Sequence, residues 1–143
     1  MKLREGGCAG WSDEQLGAAE QQADAFTVSD LNSDSLVRSQ QSEPVRNVFK
    51  DWSSCMKAKG HAGLADPYKA MDAGPALDKD GEATAESIRM ALDDIACKEK
   101  TDLVKVWFDE ESKIQRQQIE DNRAQLDSAK KSKKAVLARA DAQ

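Results

Sequence analysis

The chain has 143 residues, 39% hydrophobic, 33% charged and 5% aromatic, which bounds about one helical domain with a modest core. Its net charge of −5 concentrates in residues 61–99, which hold 4 basic and 9 acidic groups; this does not suit a nucleic-acid binder and could attract a cationic ligand, although an ordinary solubilising surface is the favoured reading. No apolar run approaches the roughly 20 residues of a membrane span, and no alternating Val, Ile and Thr run speaks for a sheet, so an all-α fold is expected.

Met1–Gly10 contains no hydrophobic stretch, so no signal peptide is read there. Cys8 follows Gly6 and Gly7 as in a lipid-attachment box, but Glu5 stands where such a box needs an apolar residue, and Cys8 is not read as lipidated. Trp11, Ser12 and Gln15 look like the opening of a first helix, with Ser12 and Gln15 at capping-box spacing. Leu16, Ala19, Ala23 and Phe26 give that helix a narrow apolar stripe. Ser29–Ser42 is rich in Ser, Asn, Asp and Gln, and reads as a short weak helix with Leu31, Leu36 and Val37 to bury.

The best punctuated helix runs from Ser42 to Gly60. Ser42 can cap it, and Pro44 sits in the first turn, where a missing N–H costs nothing. Val45, Val48, Phe49, Trp52 and Cys55 recur on one face with Met56 beside them. Lys57 and Lys59 suit the negative C-terminal end, and Gly60 suits a stop.

Residues 61–81 form the longest irregular segment, with Asp66-Pro67 opening a single helical turn that holds Tyr68 and Met71. Asp78, Asp80 and Gly81 hint at a calcium loop, but with Gly81 sixth the first position is Ala76 and the twelfth Ser87, so no metal is expected. Thr84 caps the next helix, which runs to about Glu99 with Ile88, Ala91, Leu92 and Ile95 inward. Thr101-Asp102 opens a long final helix whose apolar start is Leu103, Val104, Trp107, Phe108, Ile114 and Ile119. Continuous to Arg139, it would be about 57 Å long. Trp52, Trp107 and Phe108 read as core, while Trp11 and Tyr68 are the aromatics expected at a contact surface. Lys130, Lys131, Lys133 and Lys134 read as a solvated helix end.

Three cysteines allow three single disulfides, Cys8–Cys55, Cys8–Cys97 and Cys55–Cys97. Cys55–Cys97 is the expected pair because it ties the C-terminal turns of two core helices; reduced thiols are the alternative. His61, the one histidine, would need Cys55 close by and an orienting partner for Cys–His chemistry, so a surface histidine is expected instead, and zinc would need more paired Cys and His. Asp93-Asp94 and Glu110-Glu111 are adjacent and so diverge on a helix. No enzyme centre and no cofactor site are read.

Trp52-x-x-Cys55-Met56, the Gly6-Gly7-Cys8-x-Gly10 start, Asp94-x-x-Cys97, Trp107 and the long charged terminal helix together resemble small secreted or lipid-anchored actinomycete proteins, in particular the self-resistance (immunity) lipoproteins of lantibiotic producers. The resemblance spans most of the chain, and its motifs mark a scaffold. It implies a non-enzymatic protein at the outer face of the cytoplasmic membrane, held by a lipid anchor upstream of this sequence. Such a protein would bind the lantibiotic or shield its lipid target. The cysteines carry over as structural positions alone, and His61 stands where the family would place an aromatic.

The expectation is therefore one domain over 1–143, a bundle of about four helices with an irregular 61–81 loop and mobile ends at 1–10 and about 130–143. It is monomeric, with Asp66, Tyr68, Asp72 and Asp78 as ligand contacts. The alternative is a cell-envelope module that docks a protein through its C-terminal helix.

Overall fold

The computed structural model describes residues 6–141, with the side chains of residues 18–27 outside that description. The described residues are all-helical apart from short connections and one isolated β-bridge. Among the described residues there are seven helices instead of about four: α1 (Gly7–Leu16), α2 (Ala18–Gln40), α3 (Glu43–Ala58), α4 (Pro67–Ala73), α5 (Ala85–Lys100), α6 (Leu103–Asp121) and α7 (Arg123–Asp141), with a 3₁₀ turn at Gly74–Leu77. They group into two compact units. One comprises residues 37–113 and the other residues 1–36 with 114–143; the division falls within α2 and α6.

The 37–113 unit is built on α3. Ser42 Oγ accepts the Val45 N–H at its start. At its end the His61 N–H reaches Met56 O and the Gly60 N–H reaches Lys57 O, a Schellman closure made possible by the positive φ of Gly60. Val45, Val48, Trp52 and Met56 are buried, as their spacing predicts. α5 packs against this face, starting at Thr84 in a reciprocal cap with Ser87. The Cys55–Cys97 disulfide joins the two helices with Cα atoms 5.7 Å apart. Cys55 is therefore a structural cysteine, while Cys8 on α1 is an exposed free thiol.

The inward face of α5 is not the expected one. Met90 and Cys97 are buried and Asp94 lies between them, whereas Ile88, Leu92 and Ile95 are 51%, 62% and 53% exposed. These two sets lie roughly half a helical turn apart. The disulfide and an Asp94 hydrogen bond select the face with fewer large apolar side chains. On α6, Leu103 is buried and Trp107 packs on the core, but Val104 and Phe108 are exposed, so Phe108 is not core.

The 61–81 segment is more ordered than an irregular loop. Asp66 caps α4, the 3₁₀ turn follows directly, and Leu64 enters the core. Lys79 and Glu82 exchange backbone hydrogen bonds around Asp80-Gly81, both at positive φ, as in a tight primed turn. That turn accounts for the acidic, glycine-bearing run that resembled a calcium loop.

In the other unit, α1 begins at Gly7 and Ser12 lies inside it, so the expected capping box at Ser12 is not formed. Gly17, at positive φ, separates α1 from α2. α2 runs unbroken to Gln40 where two helices were expected, because no Gly or Pro interrupts residues 18–40. Ala19, Ala23 and Phe26 lie outside the described side chains. Leu31 is half-buried, Leu36 and Val37 are exposed, and the buried residues of α2 are instead Ser35 and Ser39. In the 1–36/114–143 unit, Gln115 Nε2 donates to Ser35 Oγ and Gln118 Nε2 to Asp34. The expected single terminal helix divides into α6 and α7 at Asn122, whose side chain donates to Gln118 O, as does its own N–H. Such back-bonding to the i−4 carbonyl bends helices. α7 packs on α1, with Arg139 Nη1 donating to Leu16 O.

Candidate functional site

A cleft of about 490 Å³ opens in the 37–113 unit between α4, α5 and α6. Its α4 side is Pro67, Tyr68, Ala70, Met71 and Gly74; its α5 side is Ser87, Met90, Ala91, Asp94 and Lys98; Trp107 of α6 closes it. Local sequence explains how the walls are held. Asp66 accepts the Lys69 N–H and Pro67 fixes the first turn, so α4 starts where Tyr68 turns inward. Thr84 Oγ1 donates to Leu77 O, fastening the end of the 3₁₀ turn to the start of α5.

The aromatic wall is a short ladder. Phe49 meets Trp107 edge-on at 5.2 Å, and Tyr68 meets Trp107 edge-on at 5.9 Å. The Trp107 N–H donates to Ser39 Oγ at 2.8 Å, which fixes the ring, and Tyr68 Oη accepts from Gln40. Burial raises the Tyr68 phenol above its usual range, and the nearby Glu111 and Asp66 carboxylates add to this. Tyr68 is the sole tyrosine, so absorbance at 295 nm reads it directly. We expect its titration midpoint to lie above 10, and Glu111→Gln to move it downward; a midpoint at or below 10 would contradict this placement.

Asp94 links the cleft to the core. Its Oδ1 accepts the Trp52 indole N–H at 3.0 Å, and its Oδ2 accepts from Lys98 at 2.6 Å. Its neighbour Asp93 is not part of the cleft lining and receives Lys59 at 2.9 Å and His61 at 2.9 Å. Those two hydrogen bonds, Lys59 first, hold the Asp93 carboxyl below its usual value although partial burial opposes them. A depressed folded value stabilises the protein above the unfolded carboxylate range, and that contribution is lost as pH falls through the folded value. Asp93→Asn should therefore cost stability at pH 6, with the difference from the native protein shrinking toward pH 3 in urea titrations; a difference independent of pH would rule this out.

Of the four residues expected to contact ligand, only Tyr68 lines the cleft. Asp66 positions α4 from its cap, Asp72 pairs loosely with Lys69 at 3.9 Å on the surface, and Asp78 is exposed beyond the 3₁₀ turn. Met71, Met90, Asp94, Lys98 and Trp107 come from three helices; Met90, Asp94 and Lys98 share one face of α5 at four-residue spacing, but no local spacing joins them to Met71 or Trp107. Trp11 is 44% exposed on α1, as expected of a contact aromatic, and belongs to the other unit.

Chemically, the cleft is an apolar slot with an internally paired polar edge. Cys55 is oxidised and His61 is engaged by Asp93, so the two do not form a nucleophile–base pair. Among the described residues no group of three or more His, Cys, Asp and Glu could hold a metal ion, and no helix is long and apolar enough to cross a membrane. Compared with known proteins, the chain matches no family model, no curated protein and no solved structure.

Proposed function

We propose that this protein is a non-enzymatic binding domain that sequesters a lantibiotic, acting as a self-resistance lipoprotein outside the cytoplasmic membrane. The observation that carries this reading is the open cleft of about 490 Å³ walled by Tyr68, Met71, Met90 and Trp107. Ligand sites are concave and mostly apolar with a few placed polar groups. Lantibiotics are amphipathic peptides, commonly cationic, and this cleft lies within the segment that carries 4 basic and 9 acidic groups. The disulfide suits an oxidising, extracytoplasmic compartment. The identity of the ligand as a lantibiotic, the self-resistance role and the membrane attachment rest on the family resemblance.

The rival reading is an envelope module docking through its C-terminal helix. The half-buried stripe Leu126, Ala129, Ser132 and Val136 and the Arg139 contact engage α7 within its own unit, which leaves the cleft as the better-formed site. Ala91 is an exposed residue of the lining, so Ala91→Trp fills the cleft without disturbing the core. Calorimetric titration with a lantibiotic should show at least tenfold weaker binding to Ala91→Trp at unchanged circular dichroism. Equal affinity would move the binding site elsewhere.

A further inference from the structure

The hydrogen-bonding capacity left over in the cleft is weighted toward donors, because each acceptor there is already engaged at least once. Both Asp94 oxygens already accept, from Trp52 and from Lys98. Ser87 Oγ is engaged twice with Thr84, and the Trp107 N–H is committed to Ser39. Two donors remain. The Lys98 ammonium has three N–H groups and directs one at Asp94. The Tyr68 oxygen accepts from Gln40, which leaves its O–H to donate. That proton is retained through the physiological range, because burial and the neighbouring carboxylates raise the phenol. Charge at the edge is balanced as well, since Asp94 and Lys98 form an ion pair at 2.6 Å.

The geometry points to a ligand group that is apolar in body and carries a hydrogen-bond acceptor, a carbonyl or carboxylate oxygen, placed against Lys98 and Tyr68 over the Met90 floor. In a peptide this is an apolar side chain next to its own carbonyl or at a C-terminal carboxylate. The inference rests on the cleft being the binding site. It separates two ranges of recognition: the acidic segment draws a cationic peptide from a distance, while the contact itself is made by donors. A cationic side chain inserted into the cleft would face the Lys98 ammonium and have to share Asp94 oxygens that Trp52 and Lys98 already engage. A buried donor without an acceptor is costly, so discrimination should be large for so small a group.

Three probes with one indole body test this by chemical-shift titration of the whole ¹⁵N-labelled chain: methyl indole-3-propionate, indole-3-propionate and tryptamine. The ester and the carboxylate should shift Tyr68, Met71, Ala91 and Lys98, with tryptamine at least tenfold weaker. Tighter binding of the ester would assign a backbone carbonyl, and of the carboxylate a chain terminus. Lys98→Met should weaken both acceptor probes about tenfold and leave tryptamine unchanged, while Lys98→Arg retains binding. Tryptamine binding at the cleft as tightly as the ester would overturn the acceptor inference and leave the cleft reading standing. If no probe shifts these residues while the lantibiotic still binds, the cleft itself is the wrong site.

Discussion

Reduction of the Cys55–Cys97 disulfide is expected to lower the unfolding free energy by about 3–4 kcal/mol, as read from urea denaturation with and without a reductant. The bond closes a loop with a sequence separation of 42 residues, and on the chain-entropy account that constraint acts mainly on the unfolded state. A domain of this size has about 5–15 kcal/mol in total, so the loss is a large fraction. The double variant Cys55→Ala/Cys97→Ala should reproduce it, with a further cost at Cys97, whose side chain is fully buried. A loss below 1 kcal/mol would mean that the Trp52 core alone holds α3 against α5.

Trp52→Ala should cost about 3–5 kcal/mol, the range for truncating a large buried aromatic. Trp52 is fully buried among Val48, Met56, Met90 and Leu103, and its N–H is one of the two donors to Asp94. Trp52→Phe separates the two contributions. It keeps most of the apolar volume and removes the donor, so about 1–2 kcal/mol should be lost. If Trp52→Phe proves as damaging as Trp52→Ala, the hydrogen bond to Asp94 outweighs packing. If it is neutral, the half-buried Asp94 is served adequately by Lys98 and water.

Punctuation was the legible part of this sequence. Ser42-x-Pro44 at the start of α3, Gly60 at its end, Asp66-Pro67 before α4 and Thr84 before α5 all mark real boundaries, because capping chemistry is local. The Cys55–Cys97 pair followed from those boundaries, since both residues lie in the last turn of a core helix. Burial was legible only where a helix has one apolar face. α3 has one, and the residues that its spacing marks, Val45, Val48, Trp52 and Met56, are the buried ones. α5 has two, Ile88-Leu92-Ile95 and Met90-Asp94-Cys97, and periodicity favours the set that the structure leaves in solvent. A carboxylate counts as polar in any pattern, so the partner that draws Asp94 inward, the Trp52 N–H, is invisible until the two helices meet.

The same limit applies to α2 and to the cleft. Ser35 and Ser39 are buried and Leu36 and Val37 exposed, the reverse of what hydropathy ranks, because these serines take the hydrogen bonds of Gln115 and Trp107 respectively. Tyr68 stood out because it lies in the segment between two strong helices. Met90, Asp94, Lys98 and Trp107 join it only through tertiary packing.

The most direct measurement is a two-dimensional NMR titration of the labelled protein with a lantibiotic, run beside a titration with its lipid target. Sequestration predicts shifts with the lantibiotic alone, concentrated on residues 67–74, residues 90–98 and the Trp107 indole N–H. Shifts with the lipid alone, or with the lantibiotic but confined to α1 and α7, would contradict it.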